Sequence, residues 1–316
     1  MKLFDLHCDT PYELAQKRQP LIDNDLHISL SKAKKYENYG QVSAVWSNNR
    51  IGDEEAYQRF WEISDNFISE ISKNSATAAL CKSGEDVKRA WEEKRSAFVL
   101  SVEDARLLCG DISRLDLLFE RGVRVLTLLW AGETIIGGSH DTDAGLSDFG
   151  KQVTHRCFEL GVIPDISHAS ERSADDVASI AAEYGRPFIA SHSCAYTAYA
   201  HTRNLRDRHI EAIKATGGLI GESLCRSHLN KGGADIEDVI RHIEYYISAG
   251  AVNNLSLGGD LDGTTLPDGM HDLRDMDRLI PLLQRDGISD DDIEKIFWRN
   301  AYEFAVKNIG RPSGAR

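Results

Sequence analysis

Eight short apolar segments, each followed by a helical pattern, constrain this chain more than any other feature. The segments are Leu3–Asp9, Val42–Ser47, Ala97–Glu103, Arg124–Trp130, Val162–His168, Pro187–His192, Gly218–Leu224 and Asn254–Asp260. Their lengths suit strands. The stretch from Glu54 to Lys73 places Tyr57, Phe60, Trp61, Ser64, Phe67, Ile68 and Ile71 at spacings of three and four, the period of an amphipathic helix. Further helical patterns run over 84–94, 112–121, 148–160, 174–184, 208–215, 236–249 and 273–285. Strand and helix in strict alternation predict a parallel sheet, and eight such units predict an α/β fold of the (β/α)₈ type, the TIM barrel. A doubly wound open sheet is the alternative, but no Gly-x-Gly-x-x-Gly follows the first strand.

The 316 residues exceed the roughly 250 that such a barrel needs. The surplus falls after strand one (residues 10–41), after strand four, and at the C-terminus, where 289–308 reads as an extra amphipathic helix. Ser289 followed by Asp292 is a helix-start signal, and Asp290, Asp291 and Asp292 read as charge at that helix N-terminus. The seven prolines are dispersed and no linker divides the chain, so residues 1–316 are expected to form one domain.

Charge narrows the partners. With 37 Lys and Arg against 50 Asp and Glu, the formal charge is −13, and no basic cluster reaches five residues. Nucleic acid and anionic membrane surfaces are poor partners for such a chain. Residues 1–5 show no apolar signal core, no run approaches a membrane span, and the tail 308–316 is too polar for a lipid-anchor signal. The six cysteines include no Cys-x-x-Cys and read as reduced thiols, consistent with a cytoplasmic protein.

In a parallel barrel the chemistry sits at the C-terminal ends of the strands. Here strand one ends in His7-Cys8-Asp9, strand three in Glu103-Asp104, strand five in Asp165-Ile166-Ser167-His168, strand six in Ser191-His192-Ser193 and strand eight in Gly258-Gly259-Asp260. Side chains alternate along a strand, so His7 and Asp9 point the same way and Cys8 points outward. Imidazoles and carboxylates around an open position are how catalytic zinc is held. His7, Asp9, Glu103, His168 and His192 suffice for two ions, with His7 and Asp9 on one, His168 and His192 on the other, and Glu103 bridging. A hydroxide between the ions is then the expected nucleophile. Asp260, left over as a non-ligand carboxylate, fits a proton shuttle to the leaving amine. Asp260-Leu261-Asp262-Gly263 lacks the further oxygen ligands of a calcium loop. Zinc suits such a site, as do manganese, cobalt and iron.

These strings together resemble the membrane (renal) dipeptidase family of zinc peptidases. They are Asp5-Leu6-His7-Cys8-Asp9-Thr10-Pro11, Ser101-Val102-Glu103, Gly145-Leu146-Ser147-Asp148-Phe149-Gly150, Asp165-Ile166-Ser167-His168-Ala169-Ser170, Ser191-His192-Ser193, Arg203-Asn204-Leu205-Arg206-Asp207 and Gly258-Gly259-Asp260-Leu261-Asp262-Gly263. They occur in family order. The resemblance implies cleavage of dipeptides at a two-zinc centre, often with tolerance for a D-residue at the C-terminal position, and a homodimer. It implies the metal ligands and the catalytic Asp260 already named, and it adds Arg203 as the clamp on the substrate carboxylate, a role suited to a bidentate guanidinium.

One position departs from the family. Trp130 stands at the end of strand four, where many members carry a histidine that helps hold the scissile carbonyl oxygen. An indole N–H donates a hydrogen bond but carries no proton charge. Loss of an oxyanion donor costs roughly two to three orders of magnitude in rate. Trp130 is therefore expected to bear on substrate range, as a binding residue or a pocket wall, and His140 is a candidate to compensate. His201, His228, Tyr196 and Tyr199 lie in loops near the rim. His27, His155, His209, His242 and His271 read as solvated. Another metal-dependent hydrolase, such as an N-acyl amino acid deacylase or a lactonase, and a metal-binding barrel without catalysis are the alternatives to a dipeptidase.

Overall fold

All eight apolar segments form strands, and the sheet closes on itself. The computed structural model describes residues 1–312 and Gly314, so part of the 308–316 tail lies outside the described residues. The barrel strands are β1 (Lys2–Cys8), β2 (Asn38–Val45), β4 (Ser96–Glu103), β5 (Val123–Thr127), β6 (Ile163–Asp165), β7 (Ile189–Ala190), β8 (Leu219–Glu222) and β9 (Leu255–Leu257). Each pairs in parallel with its neighbours. β1 pairs with β9, and β2 pairs with β4, which closes the ring. A ninth strand, β3 (Ala78–Leu80), was not expected. It covers the lower part of the β4 edge, while β5 takes the upper part.

Alternation along each strand builds two cores. Phe4, Leu6, Val42, Val99, Val125, Ile163, Ile189 and Leu219 fill the barrel interior. Their neighbours Leu3, Leu100, Leu126 and Ile220 face the surrounding helices. Burying one such side chain contributes about 1.5–3 kcal/mol. The helices match the expected spans closely, as at Asp53–Lys73 and Asp148–Leu160. The 273–285 pattern splits into a 3₁₀ stretch, Leu273–Arg278, and an α-helix, Leu279–Arg285.

The C-terminal helix decides which end of the barrel is open. Ser289 accepts from the Asp292 N–H, and Asp290, Asp291 and Asp292 occupy the first turn. The chain then passes through a π-helical segment, Lys295–Arg299, into Asn300–Asn308. Ala301, Phe304 and Ala305 join the interior core and plug the N-terminal end of the barrel. The opposite end, where the strand termini carry the polar residues, keeps its opening.

Candidate metal centre

The strand ends leave the ladder where the ligand-type residues begin. β6 stops at Asp165, three residues before His168, and β7 stops two residues before His192. His168 and Asp260 both adopt left-handed backbone, with φ of 69° and 52°. Such conformations cost about 1–3 kcal/mol each and persist where surrounding structure imposes them. The ladder also narrows here. A Cβ on Gly221 or Gly258 would overlap the Ser191 carbonyl oxygen, so only glycine lets these strands approach. Cys8 points away from the site into the outer core, as the alternation requires.

His7, Asp9, Glu103, His168, His192 and Asp260 converge at this end. Glu103 stands at the centre. Its Oε2 lies 3.4 Å from His7 Nε2, and its Oε1 lies 2.9 Å from His168 Nε2 and 3.6 Å from His192 Nε2. His7 Nε2 is also 3.6 Å from Asp9 Oδ2 and 3.9 Å from Asp260 Oδ1. Glu103 thus turns Oε2 to His7 and Oε1 to the two remaining imidazoles. The rings of His7 and His192 stack at 3.8 Å.

The outer hydrogen bonds set the tautomers. His168 Nδ1 lies 2.9 Å from the Trp130 carbonyl oxygen, which only accepts. His168 therefore carries its proton on Nδ1. His192 Nδ1 lies 2.8 Å from Ser191 Oγ, and that hydroxyl spends its single proton on Asp165 Oδ2 at 2.5 Å. His192 is therefore a donor at Nδ1 as well. Both Nε2 atoms then present lone pairs, and they face each other at 3.0 Å. Two lone pairs and a carboxylate oxygen directed at one point repel unless a cation lies among them. The buried His7 Nε2 and Asp9 Oδ1 also lack hydrogen-bond partners. The donor set is imidazole and carboxylate, which suits divalent zinc and its neighbours in the transition series.

The charges agree with this fit. Burial, reinforced by the Glu103 charge, pushes Asp9 up to about 6. Burial also raises the Asp260 carboxyl, with Asp9 and Glu103 adding to it. Burial works against Glu103 ionisation, yet His7 and His168 hold that carboxyl below the usual range. Burial likewise opposes charge on His7, and Glu103 and Asp9 outweigh it and raise its pKa. Three largely buried carboxylates crowded together are costly without positive charge. A Cβ on Gly263 would overlap Asp9 Oδ2, so the glycine keeps room beside these carboxylates.

Arg203 approaches the cluster from the loop after β7. It is 5% exposed, makes no ion pair among the described residues, and leaves its Nε without a partner. Among the described residues the guanidinium donates one hydrogen bond, to the His192 carbonyl oxygen at 3.4 Å. A buried guanidinium so poorly paired is suited to an incoming anion. Trp130 borders the cavity over the cluster, a space of about 280 Å³. His140 stands nearby, its ring 6.0 Å from that of His168, with Nδ1 3.0 Å from Thr202 Oγ1. His228 borders the same cavity. His201 and Tyr199 border the adjoining one, while Tyr196 packs under Arg206.

Some residues were missed. Tyr12 and Trp46 complete a wall with Trp130, in successive ring contacts of 4.9 and 5.1 Å. Ser191 and Asp165 orient His192. Their signal was available in the strings ending strands five and six, but their role depends on which way each points. His209 and His242 are buried, not solvated. His242 spends both nitrogens on backbone, accepting from the Ala195 N–H at 3.0 Å and facing the Leu229 carbonyl at 3.1 Å. The nearby Cys194 and Glu222 therefore gain no third ligand from it.

A family model described as membrane dipeptidase, peptidase family M19, matches residues 1–306. An uncharacterized protein from the pqqA 5′ region of Klebsiella pneumoniae is 31% identical over 252 residues, 76% of this chain and 92% of that protein. An uncharacterized dipeptidase of Schizosaccharomyces pombe is 30% identical over 65% of this chain, which spans about half (51%) of that relative's length. Among solved structures, an M19 dipeptidase superposes with a TM-score of 0.91 at 23% identity, over 98% of this chain and 99% of its own. A metallopeptidase of Rhodobacter sphaeroides, liganded with a phosphinate mimic of the dipeptide L-Ala-D-Ala, superposes with a TM-score of 0.90 at 22% identity, over 98% and 99%. These superpositions show the same barrel. Among the described residues, no helix is long and apolar enough to cross a membrane.

Proposed function

The chain belongs to the membrane dipeptidase family, peptidase family M19, and we propose that it is a zinc-dependent dipeptidase. His7 and Asp9 would hold one ion and His168 and His192 the other, with Glu103 bridging. The observation that carries this reading is the pair of inward lone pairs on His168 and His192, 3.0 Å apart beside Glu103 Oε1. Divalent ions held by these residues would supply the positive charge that polarises a scissile carbonyl and lowers the pKa of an attacking water.

The remaining chemistry falls to the chain's own residues. Arg203 clamps the free carboxylate of the peptide and sets its register against the cluster. Asp260, with Oδ1 3.9 Å from His7 Nε2, takes the proton released at the attacking water and passes it to the leaving amine. Trp130 forms part of the wall that shields this exchange from bulk water. The phosphinate mimic of L-Ala-D-Ala bound by the Rhodobacter metallopeptidase supports L,D-dipeptides as substrates here. A homodimer and a cytoplasmic location belong to the same proposal. The six free cysteines support the latter.

Trp130, an indole in place of an imidazole, favours one second reading, a deacylase of N-acyl amino acids or a lactonase. Release of free amino acids from L,L- and L,D-dipeptides by the zinc-loaded protein, with chelated protein as control, separates the two. Chelator-sensitive release supports the dipeptidase. Turnover of N-acylated substrates alone, with both metals bound, sinks it.

A further inference from the structure

Two cavities lie side by side on the open end of the barrel. The inner one contains the carboxylate and imidazole cluster and measures about 280 Å³. The outer one measures about 580 Å³ and lies among the loops that follow β7, β8 and β9. Cys225 and Thr264 border both, so the two cavities adjoin.

Ring position orients a peptide in this space. Trp46 follows β2, the second barrel strand, and Arg203 follows β7, the sixth. In a ring of eight these stand on opposite sides. A dipeptide whose carboxylate rests on Arg203 therefore directs its second side chain toward the loops after β7 and β8. Its first residue then faces the wall of Tyr12, Trp46 and Trp130.

The two ends differ in chemistry. The wall is aromatic, and its rings contact one another in sequence. No Asp or Glu borders the outer cavity, although the chain carries a formal charge of −13. Arg226 and Lys231 border it instead, with hydroxyls from Ser227, Thr264 and Thr265. Asp268 holds Arg226 through both guanidinium nitrogens at 2.7 and 2.8 Å, which spends much of that charge. Lys231 is exposed and makes no ion pair among the described residues.

We infer that the preferred substrates are dipeptides with a bulky apolar first residue and an acidic second residue, whose side-chain carboxylate enters the outer cavity toward Lys231. This rests on the dipeptidase reading and narrows its substrate class. Recognition is electrostatic and partly solvated, so the effect is several-fold and falls with salt.

The test compares kcat/KM of the zinc-loaded protein for Leu-Glu, Leu-Gln, Gly-Glu and Gly-Gln, each with the second residue L and D. The expected result is Glu over Gln by about fivefold or more, and Leu over Gly in the first position. Lys231→Gln should collapse the Glu-to-Gln ratio, and Lys231→Glu should invert it. Hydrolysis with that ratio inside twofold, or a ratio untouched by both Lys231 variants, overturns the inference and leaves the dipeptidase reading standing. No hydrolysis of any peptide in the panel by protein carrying both metals overturns the dipeptidase reading, and the inference with it.

Discussion

His168 donates from Nδ1 to the backbone carbonyl of Trp130 at 2.9 Å. Trp130 therefore orients a candidate metal ligand through its main chain, while its indole borders the cavity. The two contributions separate under mutation. Trp130→Ala keeps the carbonyl and removes the wall. Zinc affinity should change less than about threefold, while kcat/KM for a Leu-first dipeptide falls about tenfold, a fraction of the value of burying an apolar side chain. Parallel zinc titration and kinetics check this, and a large loss of zinc affinity would mean that the indole itself holds His168.

Ser191 links His192 to Asp165 through bonds of 2.8 and 2.5 Å. Ser191→Ala leaves the His192 ring free to turn or change tautomer. Loss of such supporting bonds costs about 10–100-fold in metal affinity or activity. The expected outcome is a 10–100-fold weaker second zinc by competition with a chelator dye, with unchanged circular dichroism. Wild-type affinity in the variant would contradict the tautomers assigned here.

Asp260→Asn should separate catalysis from stability. The amide cannot accept and deliver the proton, so kcat should fall about 10²–10⁴-fold with both zinc ions retained. Burial and the Asp9 and Glu103 charges raise the Asp260 carboxyl, so its ionised form opposes folding of the metal-free chain at neutral pH. The metal-free variant should therefore melt above metal-free wild type. Scanning calorimetry and metal analysis on one preparation address both halves, and near-full turnover would remove Asp260 from the mechanism.

His242 should make the fold acid-sensitive. Burial, aided by Arg241, pushes its imidazole down from an ordinary value of 6.5 to about 4. Between those values the unfolded chain binds a proton that the folded chain excludes, so stability falls as pH drops from 6.5 toward 4 and the loss levels off below. The span corresponds to about 3 kcal/mol. Urea unfolding at pH 7.0 and 4.5 should show the drop in wild type and a smaller one in His242→Gln. An equal drop in both would place the sensitivity elsewhere.

The legible parts share one property: each rests on local periodicity. Alternation in Leu3-Phe4-Asp5-Leu6-His7-Cys8-Asp9 sets which side each residue faces, so His7 and Asp9 could be paired and Cys8 set aside. The i, i+3 and i+4 spacing of Phe60, Ser64, Phe67 and Ile71 marked a helix that buries these four residues. Failures came where the backbone leaves those periods or where a partner is distant in sequence. β3 has only three residues and exists because β4 offers a free edge beside it. His209 and His242 lie in polar strings, yet their helix faces turn inward.

The sequence by itself determined the barrel, the end that carries the chemistry and the identity of the converging side chains, because alternation and strand order are properties of the chain. Only the tertiary structure decided the distances at which Glu103 faces His7 with one oxygen and His168 and His192 with the other, and that Trp130, Ser191 and Asp165 set the histidine tautomers. It also decided that an aromatic wall and an outer cavity free of acidic residues lie at opposite sides of the ring. Those relations join residues from different strands across the barrel mouth. Their distances follow from closure of the sheet, which no local stretch of sequence encodes.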